Sequence, residues 1–354
     1  MNENQFQKAV VGLAIFVFFA SWAAPMSVWA QGKPMVLEFA SYLPPGEPSL
    51  EVIRKFFGDL EGVTNGLVKT RFHLSSAMGK PADHYELALK GIADIAYIGT
   101  SYTPGSFPTA EIFDLPITGA SAETIDKTLV EMYKMGYFTK EFANVKLIVL
   151  DSISPYQFFW VKEKVDTIAG IKGKKIRATG NYVPRSIKAF GGIPVFVPVP
   201  ETYLAMQKGT VDGTIMPYAG VKDFNLHEVT KYITELNSFY FIYALVMNNA
   251  TWERLPEKAK NFIDENGMNL SIKCGIAWDA FCMESKNIYL KSGGKIINLL
   301  PGEVEKMDKL LAPIWTEWIS SQEAKGFTAK KQASDLYRIL NRLGVKEPFI
   351  GYRP

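Results

Sequence analysis

One arginine stands where a guanidinium could do chemistry. Arg177 lies in the run Lys174-Lys175-Ile176-Arg177-Ala178-Thr179-Gly180, which reads as a strand that turns into a helix near Asn181. Ligands of open α/β sheets bind at the carboxyl ends of strands, and a guanidinium there can make two parallel hydrogen bonds to a carboxylate. An Arg that snorkels to the surface, or that pairs with an acidic residue, fits the same run. Other reactive residues are sparse. The three histidines, His73, His84 and His227, have no metal-type spacing to one another or to the cysteines. The chain has no phosphate-cradling glycine loop, no Gly-x-Ser-x-Gly and no His-Glu-x-x-His. The sequence therefore offers no catalytic group, metal site or cofactor, and it reads as a binding protein rather than an enzyme.

The elements that must position Arg177 follow an α/β rhythm. From Met35 to Ser154, apolar strand-like runs alternate with amphipathic helices in a βαβαβ order, which implies a parallel or mixed sheet covered by helices. Ser49 and Ser121 are candidate helix caps. The order recurs after Pro155. Within it, YLAMQKGTVDG from Tyr203 nearly repeats YELALKGIAD from Tyr85, 118 residues earlier, with Tyr, Lys-Gly and Asp at matched spacing. Each copy reads as a helix ended by a glycine that feeds a central strand. Helix–Gly–strand joints recur in any α/β protein, but that explains the glycine and not the matched Tyr and Asp. The remainder reads as long amphipathic helices, with Trp252, Trp278, Trp315 and Trp318 assigned to the core. With 354 residues and 47% apolar content, two lobes are expected. A formal net charge of +3 without a basic patch excludes a nucleic-acid surface.

Residues 1–30 combine Lys8, an apolar run from Ala9 to Ala20, Pro25 and small residues at Val28 and Ala30. This order is that of a secretory signal peptide cut after Ala30, with an N-terminal membrane anchor as the alternative. Export permits disulfides. However, Cys274 and Cys282 fall on one predicted helix about 12 Å apart, beyond the roughly 7 Å that a bridge spans, so buried free thiols are expected.

The stretch from Ile168 to Pro217 resembles the signature of the periplasmic solute-binding proteins of tripartite ATP-independent periplasmic (TRAP) transporters, the DctP-like family. The matching elements are Lys172 to Arg177, Gly192 and Pro194, Glu201 and Tyr203, Gln207 and Gly209, and Val211 to Gly213. The likeness extends to IFDLPITG and NNATWERLPEKAKNFI. It implies an α/β, two-lobed periplasmic-binding-protein fold of type II-like architecture, with a hinge and long C-terminal helices. Lobe I is expected from residues 31–154 plus 243–282, and lobe II from 155–242 plus 283–354, with crossings near Ser154 and Tyr243.

The resemblance also implies that Arg177 receives the carboxylate of an organic acid between the lobes. Two departures bear on which acid. Some members carry a second Arg where this chain has Gln157, and an assisting Asn where it has Met216. The losses argue against a sialic acid and weaken the case for a dicarboxylate. Tyr42, Tyr102, Phe159, Trp160, Tyr218 and Tyr240 lie at predicted strand ends or loops that could face the cleft, as could Asn181. Apolar walls with few polar groups favour an apolar or aromatic monocarboxylate, and Gln157 is expected to touch it directly or through water. The expected protein is a periplasmic monomer that delivers its ligand to TRAP membrane subunits. A sensory ligand-binding module, a dicarboxylate receptor and an exported enzyme are the alternatives.

Overall fold

The computed structural model describes residues 33–354, so the signal-peptide reading of residues 1–30 lies outside the described residues. The first half runs β1 (Met35–Ser41), α1 (Pro48–Val63), β2 (Val68–His73), α2 (His84–Leu89), β3 (Ile95–Gly99), α3 (Ala122–Lys134) and β4 (Val145–Ser152). The chain then crosses into β5 (Tyr156–Trp160), β6 (Lys175–Ala178), α4 (Tyr182–Ala189), β7 (Ile193–Phe196), α5 (Thr202–Gln207), β8 (Gly213–Met216), α6 (Gly220–Asp223) and β9 (Tyr232–Ser238). It returns through β10 (Ile242–Asn248), α7 (Asn249–Arg254), α8 (Glu257–Asn266) and the long α9 (Leu270–Lys291). After these come β11 (Lys295–Asn298), α10 (Glu303–Ala324) and α11 (Ala329–Arg342).

Two sheets result, ordered β2-β1-β3-β10-β4 and β11-β9-β5-β8-β6-β7. Read from β7 inward, the second repeats the first. Both have a parallel trio, β2-β1-β3 and β7-β6-β8, followed by an antiparallel strand supplied from across the molecule. β5 follows β4 in the chain but joins the second sheet, and β10 follows β9 but joins the first. The fold is therefore mixed α/β and two-lobed. α9 continues along the first sheet against α1 and α3 and delivers β11 to the second. The C-terminal helices straddle both halves, with α10 packing on α4 and α11 on α3.

The sequence repeat has a structural cause. In each copy a short helix ends before a glycine with positive φ, Gly91 at 66° and Gly209 at 69°, a conformation that only glycine adopts without cost. The matched aspartates then fasten the neighbouring parallel strand. Asp94 accepts the N–H of Glu38 in β1 at 2.9 Å, and Asp212 accepts that of Lys175 in β6 at 2.7 Å. Both aspartates thus hold the strand that leads toward the cleft.

Ser121 caps α3 as expected, accepting the N–H of Thr124. Ser49 does not cap α1: Glu47 does, and Ser49 donates instead to Asp151 at 2.7 Å. Cys274 and Cys282 lie in α9, buried and free.

Candidate functional site

Arg177 follows from the β6 pairing. Its backbone is flanked by Val195 of the edge strand β7 and Thr214 of β8, and the residue is 2% exposed. The guanidinium Nε donates to the carbonyl of Val197 at 2.9 Å, which fixes the plane of the fork. Among the described residues no carboxylate comes within 4.0 Å of it. A buried charge without a counter-ion is costly.

The opposing wall comes from the first half. Tyr42 follows β1 and Tyr102 follows β3, their rings meeting edge to face at 5.4 Å. Tyr243 of β10 stacks on Trp278 of α9 with planes only 6° apart. The Tyr42 hydroxyl is buried without a hydrogen-bond partner, while Tyr102 Oη accepts the N–H of Val199 from the second half at 3.3 Å. Burial raises the phenol pKa values of Tyr102 and Tyr156, and the nearby Arg177 charge opposes the rise at both.

Between these walls lies a narrow space of about 460 Å³, part of it open to solvent. Tyr156, Thr179, Met216 and Asp223 are also among its lining, and Arg177 is the only cation among the lining residues. The Asp223 carboxyl has no hydrogen-bond or ion-pair partner among the described residues, and adjacent Lys222 turns to Glu284 at 2.7 Å. Burial pushes the Asp223 carboxyl up to about 7, with Lys222 opposing.

Beside the cleft, Asp114 of the first half accepts the Ser101 hydroxyl at 2.8 Å and the N–H of Asn181 at 3.3 Å. Gly180 permits this approach: its φ is +85°, and a Cβ there would lie 2.5 Å from the Asp114 carboxylate.

The structure brings Arg177, Tyr42, Tyr102 and Met216 together on the cleft and places the other predicted residues elsewhere. Gln157 is 1% exposed and fully engaged. Its Oε1 accepts the N–H groups of Leu236 and Asn237 at 2.7 and 3.0 Å, and its Nε2 donates to Asn237 Oδ1 at 2.8 Å. Phe159 packs against Tyr218, whose hydroxyl donates to Glu235 at 2.9 Å. Trp160 is buried on Phe158. The Tyr240 hydroxyl donates to the carbonyl of Ala120 at 2.7 Å. Asn181 precedes α4, and its side chain accepts from Arg185 at 3.2 Å.

Sequence reasoning missed Tyr156, Thr179, Tyr243, Trp278 and Asp223. Thr179 was within reach, because it lies two residues from Arg177 and so shares its side of an extended chain. Trp278 was assigned to the core; it is buried, yet one surface lines the cleft.

Residues 39–322 match the family model of bacterial extracellular solute-binding protein, family 7. The chain is 26% identical over 243 residues to the C4-dicarboxylate-binding periplasmic protein DctP of Rhodobacter capsulatus, covering 68% of this chain and 73% of that one. It is similar to the crystal structure of a marine metagenome TRAP solute-binding protein specific for aromatic acid ligands, from an unidentified microbe, in complex with 3-hydroxybenzoate. The TM-score is 0.83 and the identity 26%, with 88% and 100% of the two chains covered. A TRAP solute-binding protein from Rhodoferax ferrireducens T118, with copurified benzoate, superposes with TM-score 0.81 at 24% identity, over 87% of this chain and 98% of that one.

Proposed function

Because the chain belongs to bacterial extracellular solute-binding protein family 7, we propose that it captures an aromatic or other apolar monocarboxylate through Arg177 and delivers it to TRAP membrane subunits. One observation carries this reading: a buried guanidinium on the cleft wall with no carboxylate partner among the described residues. A bound carboxylate supplies the missing charge, and its two oxygens match the fork. The surrounding Tyr, Phe and Trp faces offer apolar area to a flat ring. The similar marine protein binds 3-hydroxybenzoate, which agrees in class. Contacts from both halves form only when they meet, so the ligand stabilises the closed state.

The likeness to the Rhodobacter capsulatus protein favours a second reading, a C4 dicarboxylate. Against it, Arg177 is the single cation on the cleft wall, and a second carboxylate would face Asp223.

A thermal-shift panel separates the two. At about 100 times Kd a ligand adds about 2.7 kcal/mol of stability, or roughly 5 °C for a chain of this size. Benzoate, hydroxybenzoates and mandelate are expected to produce the shift; succinate and malate are not. A shift confined to the dicarboxylates would overturn the monocarboxylate reading.

A further inference from the structure

We infer that Asp223 reads a hydrogen-bond-donating substituent on the bound acid, so that the preferred ligand is a hydroxy- or amino-substituted aromatic monocarboxylate. This rests on the proposed capture of an aromatic acid by Arg177. The cleft wall carries two ionisable side chains, the Arg177 guanidinium and the Asp223 carboxyl, and neither is paired with a charged residue of the protein among those described.

Asp223 ends α6, the short helix that follows β8 and Pro217, and it opens onto the same space as the aromatic walls. The residue best placed to neutralise it, Lys222, is committed to Glu284 on α9. From the first half, Glu47 offers no cation either. It caps α1 by accepting the N–H of Leu50 at 2.7 Å, and its pKa is raised by burial, then by Asp151 and then by Asp223.

The two groups reach the cleft from different elements, Arg177 from β6 and Asp223 from the end of α6, and both line the same space. In the inferred pose the carboxylate of the ligand lies on Arg177 and its ring substituent on Asp223. A hydroxyl or amino group there donates to the carboxyl oxygen, while a bare ring edge leaves that oxygen unbonded and partly dehydrated.

Calorimetric titration of the purified protein with benzoate, 3-hydroxybenzoate, 4-hydroxybenzoate and 4-aminobenzoate tests this. At least one substituted acid is expected to bind about tenfold tighter than benzoate. In Asp223→Leu that ratio falls to about one, while Asp223→Asn, which keeps an acceptor oxygen, retains part of it. If benzoate binds as tightly as every substituted acid, or if the preference survives in Asp223→Leu, the role of Asp223 is overturned and the Arg177 reading stands. If no member of the panel binds the unmodified protein, the aromatic-acid reading on which this inference rests fails, and the inference falls with it.

Discussion

Tyr102, from the first half, accepts the backbone N–H of Val199, from the second, through its phenol oxygen at 3.3 Å. Two residues before Val199, the carbonyl of Val197 accepts Nε of Arg177. The strap 197–199 thus orients the guanidinium and ties the halves together, so closing the cleft and aiming the anion site are one geometry.

Tyr102→Phe removes the cross-cleft hydrogen bond and keeps the ring. Such a bond contributes about 0.5–1.5 kcal/mol, and it stabilises the closed form selectively. Affinity for the aromatic acid is expected to fall roughly two- to tenfold in calorimetry, while the ligand-free melting temperature changes little. Unchanged affinity would remove this bond from the closing mechanism.

Stability should fall as pH rises from weakly acidic to weakly basic. Burial pushes Asp114 and Asp151 up to about 7 and Glu141 up to about 8. Unfolded, these groups titrate near pH 4, so between about pH 4 and 8 the native state holds more protons than the unfolded one. Stability is then lost with rising pH across that window. Thermal melts at pH 5.5 should lie above those at pH 8, and Asp151→Asn should flatten the difference. A melting temperature that climbs toward pH 8 contradicts the assignment.

Gln157→Ala is expected to act on the fold and not on the ligand. Its side chain holds two backbone N–H groups of β9, where Asn237 adopts a left-handed φ of 49°. Leaving them unsatisfied costs roughly 1–3 kcal/mol. The melting temperature should drop by several degrees and the affinity stay within about twofold. Lost affinity at an unchanged melting temperature would put Gln157 on the ligand after all.

Asp94→Ala and Asp212→Ala each remove a carboxylate that accepts a β-strand N–H and should cost about 1–2 kcal/mol for it, with Asp94→Ala the more costly because its carboxylate also accepts the Thr251 hydroxyl at 2.6 Å. The sites belong to separate sheets, so the double variant should add the two losses. Urea titration measures both. A smaller loss in Asp94→Ala than in Asp212→Ala would contradict this.

Local pattern made the parallel trios, the repeat and Arg177 legible, because each is written in residues close together in sequence. The exchange of β5 and β10 between the sheets is not written locally: crossings near Ser154 and Tyr243 are expected from the family resemblance, and only the sheet order shows which neighbours the two strands take. Side-chain direction was the other gap. Phe159, Tyr218 and Tyr240 sit at strand ends as expected, yet their partners are Tyr218, Glu235 and Ala120 respectively, none of them a lining residue. Periodicity reports that Trp278 is buried, and it is silent on whether the buried face meets a sheet or a cleft. Gln157 misled because its position was carried over from a charged residue. A neutral amide of similar reach finds backbone partners that an Arg could not satisfy in the same way.

The central claim is that Arg177 receives the ligand carboxylate. Calorimetric titration of Arg177→Ala with whichever aromatic acid binds the unmodified protein tests it most directly, read beside the ligand-free melting temperature. The account predicts a loss of about 100-fold or more and a melting temperature held or raised, since the variant removes a buried unpaired charge. Affinity retained within a few fold would contradict it.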